Sequence, residues 1–269
     1  MILQQTISLL QRKYAPLVQD LTISDLRIGL YITAIKLSDG SVGISSTMRP
    51  PNWEAGISKP MRDYGDFSPH NITGRAILEL LKFDGGNLLV QSMKIAALNA
   101  ISSTIIENGG YKIMRNTDPI DLVDLNCGKT VAIVGAFQSY IEKISKTDSV
   151  LLVLELDAST LHGDHKRFFV PANQHSSVIP IADVVIITGM TLINNTLDDL
   201  LENVKPNSQV IVTGPSGSLI PDVLFAHRVS VIGSMRIHDA DKMLQLVSEA
   251  AAPYHTFRYC AEKICIFNE

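Results

Sequence analysis

The chain has 269 residues, of which 46% are hydrophobic and 19% charged, so one large or two ordinary domains with a packed core are expected. The formal charge of −4 and the absence of a basic run disfavour a nucleic-acid partner, which needs a concentrated Lys/Arg face. No apolar run approaches the ~20 residues that cross a bilayer, so we expect no membrane partner. Three cysteines without a C-x-x-C pair indicate a reducing, cytoplasmic setting.

The N-terminal region begins with a helical pattern and continues with extended runs. Ile2, Ile7, Leu9 and Leu10 recur at helical spacing, and without a basic start or a cleavage site they predict a first helix rather than a signal peptide. Residues Leu26–Leu37 and Ser41–Met48 read as strands joined at Asp39-Gly40 by a type I′ turn, which needs positive φ at both central residues. The segment Arg49–Asn71 contains four prolines and predicts a long irregular loop.

Two helices are predicted next. Thr73 is placed to cap the first, and Asn87 caps a second that runs through Ile105 and stops at Gly109-Gly110. Strands followed by helices, without βα alternation, indicate a small α+β domain over residues 1–118.

From residue 119 the hydrophobic pattern changes: short Val/Ile/Leu runs alternate with amphipathic segments. This alternation is typical of βαβ units and a buried parallel sheet. The runs are Thr130–Val134, Val150–Leu156, Val184–Ile187, Gln209–Val212 and Val229–Ile232, and the helical segments are Leu197–Val204, Pro221–His227 and Asp239–Ala251. Thr256–Tyr259 and Lys263–Phe267 read as an antiparallel edge hairpin. The fold class is therefore α/β: a Rossmann-like parallel-sheet domain, residues 119–269, preceded by the smaller α+β domain.

Small and polar residues follow several predicted strands, at the sheet edge where open parallel sheets bind ligands. The segment Thr213–Ser218 combines glycines and hydroxyls before a helix and resembles an anion cradle, although Ser216 or Ser218 could equally serve as a helix cap. Asn194, Asn195 and Thr196 either cap the next helix or face a ligand.

Three other features admit competing interpretations. Gly135 does not open a G-x-G-x-x-G fingerprint, yet Glu155 follows it by about 20 residues, where a dinucleotide fold places the ribose-binding acid; a solvated strand-end carboxylate is the alternative. The stretch His162-Gly163-Asp164-His165 has metal-ligand chemistry, but a solvated loop is favoured. Asn99, in an apolar helix, either ties the helix to the sheet or points into the cleft.

The chain resembles the putative heavy-metal chelation proteins. The resemblance rests on GRAILELLKF at 74–83, MKIAALNAI at 93–101, VAIVGAF at 131–137, VLELD at 153–157, ADVVIITGMTLINNTLDDLL at 182–201 and VIVTGPSGSLIPDVLF at 210–225. It covers nearly the whole chain and implies an enolase-N-terminal-like domain before the Rossmann-like one. Ala136 stands where relatives often carry His, which weakens a metal-ligand role for that strand end.

The resemblance places a site in the crevice between the two domains. The ligand-binding residues that we predict there are Asn99, Gly135, Phe137, Glu155, Thr188, Gly189, Thr191, Asn194, Thr196, Gly214, Pro215 and Ser216. The leading hypothesis is a small anionic or metal-bearing ligand, with a transition metal ion as the cofactor the family suggests and a link to corrinoid metabolism.

Two alternatives stay open at this stage: a nucleotide-dependent enzyme, using NAD(P) or S-adenosylmethionine, and a non-enzymatic oligomeric scaffold. No pair of residues forms a recognisable nucleophile and base. The reaction, the substrate, the identity of a metal and the oligomeric state, including a homo-oligomer, are left open by the sequence.

Overall fold

A computed structural model describes residues 1–48, 64–125 and 128–268. The helices are α1 Ile2–Lys13, α2 Ala15–Val18, α3 Ile77–Lys82, α4 Leu88–Asn108, α5 Gln138–Ile144, α6 His175–Val178, α7 Met190–Ile193, α8 Leu197–Glu202, α9 Pro221–Ala226, α10 Ala240–Ser248 and α11 Pro253–Tyr259. The strands are β1 Ile23–Ile28, β2 Ile32–Leu37, β3 Val42–Ser46, β4 Ile113–Arg115, β5 Thr130–Val134, β6 Val150–Glu155, β7 Phe169–Pro171, β8 Val184–Thr188, β9 Gln209–Thr213, β10 Val231–Ile237 and β11 Ala261–Phe267.

The smaller sheet is antiparallel, in the order β1-β2-β3, and helix α4 covers it. Strand β3 approaches α4 so closely at Gly43 that an added Cβ would collide with the backbone of Ala96 and Ala100. Glycine is therefore required at this crossing. The Asn87 side chain accepts hydrogen bonds from the amides of Leu89 and Val90, which confirms the predicted cap.

The larger sheet has eight strands in the order β4-β11-β10-β9-β8-β5-β6-β7, and its strands from β10 to β7 are parallel. The chain leaves β5 toward β6 and β7 and then returns to β8 on the other side of β5. This reversal is the topological switch point of a doubly wound sheet, where ligands bind outside the carboxyl ends of the strands. The α/β fold class is confirmed.

Several local predictions are wrong. The run Leu26–Leu37 is two strands, because the chain turns at residues 29–31 and β1 pairs back on β2. The turn at Asp39-Gly40 joins β2 and β3 as predicted, but only Gly40 has positive φ (88°), so the turn is not type I′. Leu37 bonds with both Gly40 and Ser41, the arrangement of a three-residue loop with a glycine bulge.

The ends of two elements also differ from the predictions. Thr73 does not cap α3, which begins after Ala76. The predicted C-terminal edge hairpin is a helix, α11, followed by β11, and β11 lies inside the sheet because β10 and β4 flank it. The short strands β4 and β7 were not predicted, since three residues carry too little periodicity to be recognised.

Helix α4 is long and apolar enough to cross a membrane by length and composition, contrary to the sequence expectation. Its most apolar window is 78% buried inside the protein, however, as in the core helix of a soluble protein. Its apolar character therefore reflects burial on several sides, against β2 and β3 and against elements of the larger sheet's layer.

The two sheets share one hydrophobic core. A single cluster of buried side chains extends from Ile2 in α1 through α4 to Ile266 in β11. Strand β4 pairs with β11 in the larger sheet, although it precedes the predicted boundary at residue 118. The division into residues 1–118 and 119–269 stays a prediction.

Candidate functional site

A cavity of about 180 Å³ lies at the switch point of the larger sheet, and we call it the switch-point cavity. Its wall comes from the carboxyl ends of β5, β6 and β8, from α6, α7 and α8, and from Met48 just after β3. The lining residues are Met48, Val134, Gly135, Leu154, Glu155, Leu156, Ala172, His175, Thr188, Met190, Thr191, Asn194, Thr196, Asp199 and Leu200. Six of the twelve predicted ligand-binding residues therefore meet here: Gly135, Glu155, Thr188, Thr191, Asn194 and Thr196.

Gly135 and Thr188 form the base of this cavity, at the ends of adjacent strands. Gly135 has φ of 105°, and a Cβ there would lie 3.1 Å from the Cγ2 of Thr188. Glycine is needed for both reasons, the backbone conformation and the close approach. The Thr188 hydroxyl accepts a 3.3 Å bond from the amide of Met190 and keeps capacity for a second partner.

The other predicted polar residues are partly engaged with their own neighbours. Thr191 donates to the Thr188 carbonyl at 2.6 Å, and Asn194 Oδ1 accepts from the Thr196 hydroxyl at 2.7 Å. Glu155 Oε1 accepts from the amide of Leu156 at 2.8 Å. Thr196 is the residue before α8 but makes no side-chain cap. These bonds hold the side chains at the rim, and among the described residues the Asn194 amide nitrogen has no partner, so it can donate to a ligand.

His175 and Asp199 also line this cavity, and the sequence analysis missed them. His175 Nε2 lies 2.7 Å from Asp199 Oδ2, and its Nδ1 lies 3.1 Å from the Ala172 carbonyl oxygen. Both ring nitrogens thus face oxygen acceptors. Nothing in the sequence marks the pair, because 24 residues and strand β8 separate them, and only the sheet order brings them together.

The predicted anion cradle at Thr213–Ser218 does not line the switch-point cavity. Two residues of the loop make structural contacts instead: Ser216 Oγ accepts from the amide of Ser46 in β3 at 2.9 Å, and the Gly217 amide donates to the Gly214 carbonyl. Neither Ser216 nor Ser218 caps α9, which begins after Ile220. Ser216 therefore joins the loop to the smaller sheet, and Gly214, Pro215 and Ser216 do not line the switch-point cavity.

Two more predicted residues lie beside the cavity without lining it. Gly189 donates to the Thr213 carbonyl at 2.8 Å, and a Cβ there would lie 2.8 Å from the Ser216 carbonyl carbon and closer still to the Gly217 nitrogen. Phe137 stacks on Tyr140 with ring centroids 5.3 Å apart. Both residues are packing elements.

Asn99 belongs to a different cavity. Its amide nitrogen donates to the Ile44 carbonyl at 2.7 Å and to the Pro215 carbonyl at 3.1 Å, so it ties α4 both to β3 and to the loop of the larger sheet. It lines a cavity of about 860 Å³ between α4, the β2–β3 hairpin and strands β4, β10 and β11, which we call the hairpin cavity. The loop 214–218 lies between the two cavities.

The described residues do not fit a resident metal ion. Within residues 1–48, 64–125 and 128–268, no three His, Cys, Asp or Glu side chains converge as a metal site requires. Burial raises the pKa of Cys260 to about 11 and of Cys265 to about 12, so neither thiol offers the thiolate that soft metals bind. His165 contacts Gln138 and Glu142 rather than His162. Cys127 lies outside the described residues.

The comparisons with known proteins identify the class to which this α/β protein belongs. Residues 118–266 match the DUF364 family and residues 12–102 match the DUF4213 family, both described as "Putative heavy-metal chelation". Because the first match alone covers more than half of the chain, the protein belongs to the DUF364 family. The resemblance seen in the sequence is confirmed.

Individual relatives agree with this assignment. The chain is 27% identical over 176 residues to an uncharacterized protein of Methanocaldococcus jannaschii, a match that spans 63% of each chain and so less than two thirds of the relative's length. A DUF364 structure of unknown function from Pyrococcus horikoshii aligns over 100% of both chains, with a TM-score of 0.78 and 22% identity. One from Desulfitobacterium hafniense covers 96% of this chain and 99% of its own, with a TM-score of 0.71 and 19% identity. The two structures support the fold.

Proposed function

We propose that the protein binds a small organic ligand, free or as a metal chelate, in the switch-point cavity. The observation that carries the proposal is the convergence of Gly135 and Thr188 at the reversal of strand order, with Glu155 and Asn194 around them and Met48 reaching over from the smaller sheet. Backbone approach at a glycine and free hydroxyl and amide groups are what a small polar ligand needs at this edge of a parallel sheet.

The donor set favours a metal that arrives already bound to an organic chelator over a bare ion. A bare ion would need three or more ligands from the protein, and the described residues do not gather them. In the observed arrangement both ring nitrogens of His175 lie within hydrogen-bond distance of oxygen atoms of the protein, so both are already engaged. The hydroxyl of Thr188 and the amide of Asn194 instead suit the carboxylate or hydroxyl groups of a chelator.

The size of the cavity bears on the corrinoid link. A volume of about 180 Å³ is below the roughly 300–1,000 Å³ of sites that enclose drug-sized molecules. A corrinoid could insert only a side chain here, whereas a citrate-sized chelator fits within the cavity. We infer a cytoplasmic setting from the two described cysteines, which are buried and free.

Isothermal titration tests the proposal, with nickel citrate, cobalt citrate, cobinamide and Ni²⁺ alone as probes. We expect a citrate chelate to bind and the Thr188→Val variant to weaken binding about tenfold, the usual effect of one hydrogen bond. Thr147→Val is the matched control, because Thr147 lines neither cavity and its hydroxyl donates to the Ile144 carbonyl after α5. Flat titrations with all four probes, or equal binding by wild type and Thr188→Val, would refute the proposal.

A second candidate, nucleotide binding, is favoured by the strand order of the sheet and by Glu155 at the end of β6, the strand next to β5. The chain lacks the G-x-G-x-x-G fingerprint after Gly135, and a shared fold alone supports nucleotide binding only by analogy. Thermal-shift measurements with NAD, NADP, S-adenosylmethionine and ATP separate the two candidates, since a ligand at 100 times its Kd adds about 2.7 kcal/mol of stability.

A further inference from the structure

We propose that the hairpin cavity is a second binding site, and that it takes a hydroxylated organic anion. Three polar side chains on its wall are at least nine-tenths buried: Asn99, Ser218 and Ser234. Asn99 Oδ1 and Ser218 Oγ are fully enclosed and have no hydrogen-bond partner in the described part of the chain. The Ser234 hydroxyl bonds to no described residue either, but it is not fully enclosed, so it is the polar atom that an occupant of the cavity reaches. Buried polar groups in proteins are nearly always paired, so two unpaired buried atoms and an unpaired Ser234 hydroxyl on one cavity wall favour an occupant that pairs them.

The chemistry of these atoms specifies the buried end of the ligand. Asn99 uses its amide nitrogen on two backbone carbonyls, so its oxygen can only accept a hydrogen bond. Ser218 and Ser234 can donate or accept. A ligand hydroxyl, which also does both, has the chemistry that all three atoms need.

The sheet register places a cation at the other end. Ser234 pairs with Ile264, and Ile264 pairs with Arg115, so these three side chains project from the same face of three adjacent strands. With strands ~4.8 Å apart, about 10 Å separates the backbones of Ser234 and Arg115. That distance suits a ligand with hydroxyls at one end and an acid at the other.

Arg115 is the cation that can take the acid. Arg236 also lines the cavity, but Glu107 and Glu262 hold its guanidinium at 2.9 and 3.4 Å and neutralise it. The Arg115 side chain is exposed and has no carboxylate partner among the described residues. A guanidinium binds phosphate and carboxylate equally well in geometry, so either acid is accepted. The volume of about 860 Å³ falls in the range of metabolite sites.

The test is isothermal titration of the whole chain with glucose 6-phosphate, gluconate, glucose and inorganic phosphate. We expect glucose 6-phosphate or gluconate to bind, and glucose and phosphate to bind at least tenfold more weakly. Ser234→Ala should weaken the anion about tenfold, and Arg115→Gln should remove the preference for the charged sugar. Arg167→Gln, the same change at an exposed position beyond β6, is the matched control and should bind as wild type.

The proposal is overturned if neither hydroxylated anion binds at millimolar concentration, if phosphate alone binds as tightly as glucose 6-phosphate, or if Ser234→Ala and Arg115→Gln both bind as wild type does. Both variants are expected to fold, since one deletes a single oxygen and the other changes an exposed side chain. Thr188→Val should leave this binding unchanged, so failure at the switch-point cavity and failure here are separate results.

Discussion

The two cavities described above lie on opposite sides of one short loop, residues 214–218, and they differ in volume and in the strands that form their walls. The switch-point cavity is small, about 180 Å³, and its base is built from strand ends of a parallel sheet. The hairpin cavity is larger, about 860 Å³, and lies where antiparallel strands extend that sheet beneath α4. The switch point, where parallel sheets usually bind ligands, therefore has the smaller of the two cavities.

The difference shows that the topology of a sheet predicts where a ligand site lies but does not predict the volume of the cavity there. A parallel sheet brings its strand ends to one edge in every doubly wound fold, which makes the switch point recognisable from sequence. The hairpin cavity exists because β11 and β4 add two antiparallel strands and the smaller sheet closes over them. That arrangement depends on contacts between parts of the chain more than 100 residues apart.

The largest effect on stability is expected from replacing Asn99 with a charged residue, because its amide group holds the loop that lies between the two cavities. In Asn99→Asp the carboxylate would face the carbonyl oxygens of Ile44 and Pro215 in place of an amide donor. We expect a loss of about 4 kcal/mol in the free energy of unfolding at neutral pH, and a smaller loss in acid, where the protonated group can donate once. Denaturant unfolding measures it. Asn203→Asp, which loses an exposed amide bond to the Asp199 carbonyl, is the control and should cost below about 1 kcal/mol.

A second prediction concerns the packing of the loop between the cavities. Gly189→Ala drives a Cβ into the backbone of Ser216 and Gly217, and we expect a destabilisation of about 3 kcal/mol. Gly217→Ala is the matched control, because its Cβ meets only ordinary contacts, the nearest being Val212 at 3.4 Å. If thermal denaturation showed equal effects for the two substitutions, Gly189 would not be the close contact that separates the cavities.

A third prediction concerns Asp118, which pairs with Lys263 on β11, a strand of the hairpin cavity's wall. Burial raises the pKa of Asp118, but the ammonium of Lys263 on β11 and the hydroxyl of Tyr140 outweigh burial and lower it overall. A carboxyl with a lowered folded-state pKa adds stability above its unfolded value, ~3.9, and loses it as pH falls through the folded value. Asp118→Asn should therefore cost about 1–2 kcal/mol at pH 7, with the difference from wild type shrinking below pH ~4. A pH-independent difference would contradict this cause.

The smallest effect is expected at an ion pair between the smaller sheet and α10. Lys36 on β2 and Asp241 on α10 form an ion pair at 2.8 Å, and Asp241 is 86% exposed. Exposed pairs contribute little because water screens them, so Lys36→Met should change stability by less than about 0.5 kcal/mol. A double-mutant cycle with Asp241→Asn measures the coupling, and a value above 1 kcal/mol would show that the pair holds the hairpin in place.

Much of the fold could be predicted from the sequence, but only part of the candidate site. The parallel strands are short Val/Ile/Leu runs, so β5, β6, β8 and β9 were found with ends within a residue or so. The order of these strands across the sheet cannot be predicted from any local sequence pattern. His175 and Asp199 were missed for that reason, as was the hairpin cavity.

Asn99 shows that a residue type can predict a hydrogen bond without predicting all of its partners. An amide in an apolar helix signals a buried hydrogen bond, and the bond to β3 fits that interpretation. That the same nitrogen also reaches Pro215, across 116 positions of chain, follows only from the packing of the smaller sheet on the loop. The residue type predicted a buried hydrogen bond, and only the tertiary structure identifies Pro215 as a second acceptor.

The central claim, a ligand at the switch point of the sheet, is tested most directly by diffraction from crystals grown with cobalt citrate and measured at the cobalt absorption edge. We predict an anomalous peak outside the ends of β5 and β8, between Gly135 and Asn194. A peak confined to the hairpin cavity or to surface carboxylates, or none at full citrate concentration, would contradict it.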